Sequence, residues 1–219
     1  MTLSANLVAV VDLTVGEITS MIDVKGRPAE IAVVGNQLCV AVPENNEAKI
    51  IDTRTNAVEA TLPIPTAFPT YVAGDGLNDV FCVVAIGSGK VPGDGQDKTT
   101  PTLTFIDIPT RTITKTVDLT ARASEGAIQI PLGLIVNNSE YAYVPVQNAL
   151  MLASTRSQNR ASAAQFESFG QVYYEAARAE IICVRPDGRT LNIYDEFAEK
   201  LKLTVTLSDS INSAIGIAP

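Results

Sequence analysis

The stretch Ile50-Ile51-Asp52-Thr53-Arg54-Thr55-Asn56-Ala57-Val58-Glu59-Ala60-Thr61-Leu62 reads as strand, tight turn, strand. Apolar, β-prone residues occupy the flanks, and Asp, Thr and Asn supply the turn between them. The same sentence recurs at Val10-Val11-Asp12-Leu13-Thr14 and at Phe105-Ile106-Asp107-Ile108-Pro109-Thr110. A strand–turn–strand unit repeated at about forty residues marks a radial or stacked β-repeat.

Working outward from Asp52, each unit continues in the same order. In the first, strands Leu7–Val11 and Glu17–Val24 flank the Asp12 turn. Then come Pro28, the strand Ala29–Val34, a Gly35-Asn36 turn and Gln37–Val42. In the second, Pro69 answers Pro28, Gly74-Asp75-Gly76 answers Gly35-Asn36, and Cys82 answers Cys39. The third unit turns at Asp107 and runs through Pro131–Val136 and Tyr141–Val146. The fourth has Ser154 where the aspartate belongs, followed by a polar stretch, Thr155–Ser168. The fifth turns at Asp195 and runs out at Ala214–Ala218 without a following strand. Cys39, Cys82 and Cys183, each followed by Val, read as one repeat position filled by a small buried thiol, with Tyr143 in their place in the third unit.

The expected fold is therefore all-β, a single domain over residues 1–219. It is a β-propeller of about five four-stranded antiparallel blades. The last blade is built from both chain ends, with the N-terminal strands beside Ala214–Ala218. Two insertions depart from the repeat, at residues 87–101 and 155–168.

Residues 47–73, with Ile50–Ile64 and the following Pro69, resemble the YVTN-type repeat of surface-layer and YncE-like β-propeller proteins. Arg185-Pro186-Asp187-Gly188-Arg189-Thr190-Leu191 resembles the Pro-Asp-Gly hairpin turn of that repeat. The resemblance implies four antiparallel strands per blade around a central channel. The Tyr-Val-Ala-Asn signature is not intact, Tyr143-Val144-Pro145-Val146 being its nearest counterpart.

Composition narrows the chemistry. The 219 residues are 46% hydrophobic but 5% aromatic, with no Trp, so the core is made of Val, Ile, Leu and Ala. A net charge of −8 argues against nucleic acid as a partner, because duplex binding relies on Lys and Arg at phosphates. The absence of His removes His-based triads and His-ligated metals. No apolar run is long enough to span a bilayer, so membrane insertion is not expected. No secretory signal opens the chain, which suggests synthesis in the cytoplasm and incorporation into a particle.

Candidate sites remain. The recurrent Asp12, Asp52, Asp107 and Asp195 fit turn caps better than a ring of cation ligands, since an Asx side chain accepts the N–H groups of its own turn. Gly93-Asp94-Gly95-Gln96-Asp97 lacks the spacing of a calcium loop and reads as an exposed binding loop. Lys90, Asp94 and Asp97 there, with Arg156 and Arg160 in the second insertion, are the expected interaction residues. Glu30, Asp75 and Glu125 lie near inner-strand starts and are the carboxylates of an alternative reading as a propeller hydrolase or lectin-like carbohydrate binder. No nucleophile elbow or phosphate loop is present. The sequence thus predicts a non-catalytic interaction or structural module without cofactor or metal. Its partners would be other protein subunits or further copies of itself, as in a virion or phage-tail assembly.

Overall fold

The computed structural model describes residues 6–87, 100–119, 131–137, 140–146, 149–165 and 171–208. These form eighteen strands and one short 3-10 turn, Pro43–Asn45. A hairpin, β1 (Leu7–Asp12) and β2 (Glu17–Asp23), comes first. Four four-stranded antiparallel meanders follow. The first sheet is β3 (Ile31–Val34), β4 (Gln37–Val42), β5 (Glu47–Asp52) and β6 (Ala57–Pro63). The second is β7 (Pro69–Asp75), β8 (Val80–Ala85), β9 (Thr102–Asp107) and β10 (Thr112–Asp118). The third is β11 (Ile135–Val136), β12 (Tyr141–Val146), β13 (Ala149–Ser154) and β14 (Arg160–Gln165). The fourth is β15 (Gln171–Glu175), β16 (Glu180–Val184), β17 (Thr190–Asp195) and β18 (Leu201–Thr206).

The sheets stack in chain order, face against face. Val8, Val10, Ile22 and Val24 of the hairpin region pack on Leu38, Val40, Val42 and Ile51 of the first sheet. Cys39 and Ile50 meet Phe81 and Ile106 between the first and second sheets. Cys82 and Phe105 meet Val144 and Met151 between the second and third. Tyr143 and Leu150 meet Ile181 and Cys183 between the third and fourth. A middle strand such as β4 or β8 is buried nearly throughout because each of its faces meets a different neighbour. The first strands lie nearest one another, β7 touching both β3 and β11, and β11 touching β15. These are the inner strands of a propeller-like arrangement.

Every outer hairpin carries a β-bulge at the same place. The register slips at Val10/Val11, Ile50/Ile51, Ile113/Lys115, Leu152/Ala153 and Ile193/Tyr194. The same bulge in five hairpins marks these as copies of one hairpin among the described residues, four of them within four-stranded sheets and one alone, and each bulge sets the local bend and twist of its outer strand.

The structure departs from the sequence expectation in four respects. First, the repeat units read from the Asp turn do not coincide with single sheets: each sheet begins at the strand after a Pro turn, the frame that a last blade shared by both chain ends already required. The first hairpin is then a two-stranded sheet, and no core cluster among the described residues joins it to the fourth sheet. Ala214–Ala218, expected to complete that blade, lies outside the described residues. Second, the described part of the expected insertion Thr155–Ser168, up to Gln165, is not an excursion from the pattern. Residues 155–158 form the turn and Arg160–Gln165 is the outer strand β14, paired along β13. Third, Gly74 and Asp75 are still in β7, and the turn falls at Gly76–Asp79. Fourth, Cys183 is not equivalent to Cys39 and Cys82. Counted from the residue opposite the turn aspartate, the third position holds Cys39, Cys82, Tyr143 and Ile182. Cys183 is one residue further on and faces back to the third sheet, since a one-residue step reverses the face of a strand.

Candidate functional site

The recurrent aspartates are committed to their turns. Asp12 Oδ1 accepts the Thr14 N–H at 2.8 Å. Asp52 Oδ1 accepts Arg54 N–H at 2.7 Å and Thr55 N–H at 3.2 Å. Asp107 Oδ2 accepts Thr110 N–H at 2.8 Å, and Asp195 Oδ1 accepts Glu199 N–H at 2.8 Å. In the third sheet Ser154 Oγ takes the same role, accepting Ser157 N–H at 3.0 Å. Asp52 is further held by the Arg54 guanidinium, whose NH2 lies 2.6 Å from Oδ2. That contact, followed by the turn N–H groups, lowers its carboxyl pKa from 3.8 to about 2.

A second set of turn caps escaped the sequence reading. Asp75 at the end of β7 accepts the N–H groups of Leu77 and Asn78, at 2.9 and 3.2 Å. Asn137 Oδ1, after β11, accepts those of Glu140 and Tyr141, at 3.0 and 2.7 Å. Glu175 at the end of β15 accepts those of Ala177 and Arg178. Three different residue types fill this position, so no repeated letter marks it.

Asp75 is fully buried and does more than cap. Its Oδ2 accepts Thr155 Oγ1–H at 2.5 Å and Asn78 Nδ2–H at 2.8 Å, while Asn78 Nδ2 also reaches Thr155 Oγ1 at 3.2 Å. Thr155 follows β13, so the network ties the second sheet to the third. Enclosed and occupied in this way, Asp75 is not among the residues that line the cavity bordered by Glu30.

Glu30 differs. It sits just before β3 and borders a cavity of about 250 Å³ formed where the first strands of all four sheets converge. Tyr71 of β7, Leu132 and Leu134 before β11, and Gln171 and Tyr173 of β15 also line it. Glu30 Oε2 accepts the Val72 N–H at 2.8 Å. Partial burial raises the Glu30 carboxyl above its ordinary 4.5, and the Val72 bond opposes the rise. Tyr71 is raised as well, first by burial and then by the nearby Glu30 carboxylate. Tyr173 donates its hydroxyl to Gln171 Oε1 at 2.6 Å. Glu125, the third candidate carboxylate, lies outside the described residues.

Of the expected interaction residues, Lys90, Asp94 and Asp97 also lie outside the described residues. Arg156 is exposed in the β13–β14 turn. Arg160 opens β14, and its guanidinium lies 3.6 Å from Met151 Sδ. The two arginines therefore stand at one turn and the start of one strand. Among the described residues no group of three or more metal-ligating side chains occurs. No helix among them is long and apolar enough to cross a membrane. The three cysteines are free and buried. Burial pushes the Cys183 thiol up to about 12 and raises Cys39 and Cys82 further still.

No family model and no curated protein matches the chain. Among solved structures it is similar to hydrazine synthase from Kuenenia stuttgartiensis. The TM-score is 0.63 at 13% sequence identity, over 82% of this chain and 49% of that one. The chain thus spans about half the length of that structure. At this identity the likeness is one of fold, and it supports an all-β, propeller-like architecture. Such a fold fits a protein-interaction module, although a scaffold of this kind hosts many unrelated functions.

Proposed function

We propose that the protein is a non-catalytic, propeller-like interaction module that works as a subunit of a larger assembly. The observation that carries this reading is the contrast between the two ends of the sheet stack and its interior. Inside, four interfaces are closed by continuous apolar clusters. At one end the hairpin has two strands, and Leu13 and Val15 in its turn are 92% and 64% exposed. At the other end Leu201 and Leu203 of β18 are half exposed. A sheet that has two strands among the described residues, with apolar side chains exposed beside it, is a template for a further strand.

A five-bladed ring belongs to the same proposal, with β1–β2 as half of the fifth blade and its remaining strands supplied by the C-terminal segment or by a neighbouring subunit. Membership of the YVTN-type repeat group and service in a virion or phage tail are narrower versions of it. The turn-committed carboxylates support a non-enzymatic role, because Asp12, Asp52, Asp75, Asp107 and Asp195 are engaged in capping.

Light scattering on the untagged chain tests the reading. A defined oligomer, weakened by charge at the hairpin tip (Leu13→Glu with Val15→Glu), is the expected result. A particle of 23.2 kDa at every concentration, with no partner retained by the hairpin, would overturn the seam as the docking surface.

A further inference from the structure

The cavity at the convergence of the inner strands is chemically one-sided. Its lining contains one carboxylate, Glu30, and no Lys or Arg. One Glu30 oxygen is held by the Val72 N–H, which fixes the carboxyl group; the other has no hydrogen-bond partner among the described residues. Gln171 Oε1 accepts the Tyr173 hydroxyl, and that bond leaves the Tyr173 oxygen available as an acceptor. The Tyr71 hydroxyl is likewise without a partner among the described residues. Leu132, Leu134, Ile135, Pro145 and Val172 supply an apolar wall. Glu30 stands at the exposed rim of this cavity, beside the half-buried Tyr71. An anion held in place beside a low-dielectric wall attracts a cation more strongly than the same anion in open water. Phenol rings favour cations that carry little hydration.

We infer that this cavity binds a small organic ammonium ion, with its charged nitrogen at Glu30 and its carbon body against the Leu132–Ile135 wall. Anions are disfavoured by Glu30 and by the overall charge of −8. A bound metal ion is disfavoured because a single carboxylate supplies too few oxygen ligands for calcium or magnesium. The volume of about 250 Å³ suits a body of a few carbons rather than a chain of sugars. Glu30, Tyr71, Gly133 and Gln171 stand at one equivalent position of the four sheets and converge on a single shared space, in which only Glu30 carries a charge, so there is one site per chain.

Titration calorimetry with choline, n-butylammonium and the neutral choline isostere 3,3-dimethylbutan-1-ol tests the assignment. Both cations should bind with one site per chain, and the alcohol should bind about tenfold or more weakly. Glu30→Gln should reduce cation affinity by about tenfold or more while leaving the alcohol unchanged. Glu17→Gln, on the exposed face of β2, removes the same charge far from the cavity and should change neither. Cation affinity should fall as pH is lowered through the raised Glu30 carboxyl, above the 4.5 of an ordinary glutamate. Absence of binding by both cations to the wild-type chain would overturn the assignment. So would equal affinity of Glu30→Gln, or a loss in Glu17→Gln matching that in Glu30→Gln. The site is independent of the oligomer proposed above, and either can fail alone.

Discussion

Asp52 shows what one repeated letter does. Its side chain is buried against the turn it caps, and Arg54 covers it from solvent. The carboxyl is held to about 2 against 3.8 when free, so the folded state prefers the ionised form. The resulting stabilisation is fully present above pH 3.8 and is lost as pH falls towards 2. Asp52→Asn should therefore lower the urea midpoint at neutral pH, and the gap to wild type should close as acid titrates the wild-type group. A gap that stays constant down to pH 2 would show that the charge does not matter there. This position was legible in the sequence because it recurs with one chemistry. Ser154 was legible only as a gap, although its hydroxyl performs the same cap. Asp75, Asn137 and Glu175 were not legible as a set, since an acceptor of any type two to four residues before the turn N–H groups satisfies them.

At the scale of the strand, register decides more than composition. Cys183 shares its neighbour Val with Cys39 and Cys82, which makes it look equivalent, yet it faces the opposite sheet. Local letters cannot reveal this, because the face is set by pairing to β17 through Glu180 and Asp195. In the same way β14 was obscured by its small and polar residues, which have low β-propensity but pair along β13. β7 offers a sharper test of packing between elements. A Cβ on Gly74 would collide with Val34 Cγ2 of β3 and stand 3.3 Å from Phe81 Cε1. Val34 is β-branched and cannot swing clear. Gly74→Ala should cost about 1–3 kcal/mol, as overpacking does. In a Val34→Ala background the added cost should largely vanish, because the colliding methyl is gone. Urea unfolding of the four proteins measures the coupling; additive effects would mean that the strands part without strain.

For the whole molecule the stack of sheets behaves as a row of layers, each held by its neighbours. The interfaces that bury Cys39 and Cys82 lie inside the row, with a packed sheet on either side. Cys183 lies in the interface between the third sheet and the fourth, which is the last layer. A buried thiol reacts only when its interface opens, since the thiolate is the nucleophile and burial suppresses it. The terminal layer loses one interface on opening, whereas an interior interface can open only by parting layers that are packed on both sides. Under native conditions a disulfide reagent should therefore modify Cys183 first, with Cys39 and Cys82 following at the rate of global unfolding. Peptide mapping of the labelled chain against time gives the order. On the proposal that a neighbouring subunit docks at the seam, raising protein concentration should slow Cys183 selectively, because that subunit would cover the outer face of the fourth sheet. Equal rates for all three thiols, unchanged by concentration, would mean that the fourth sheet is held on both faces within a single chain. The ring would then close by itself, and the seam would cease to be a docking surface.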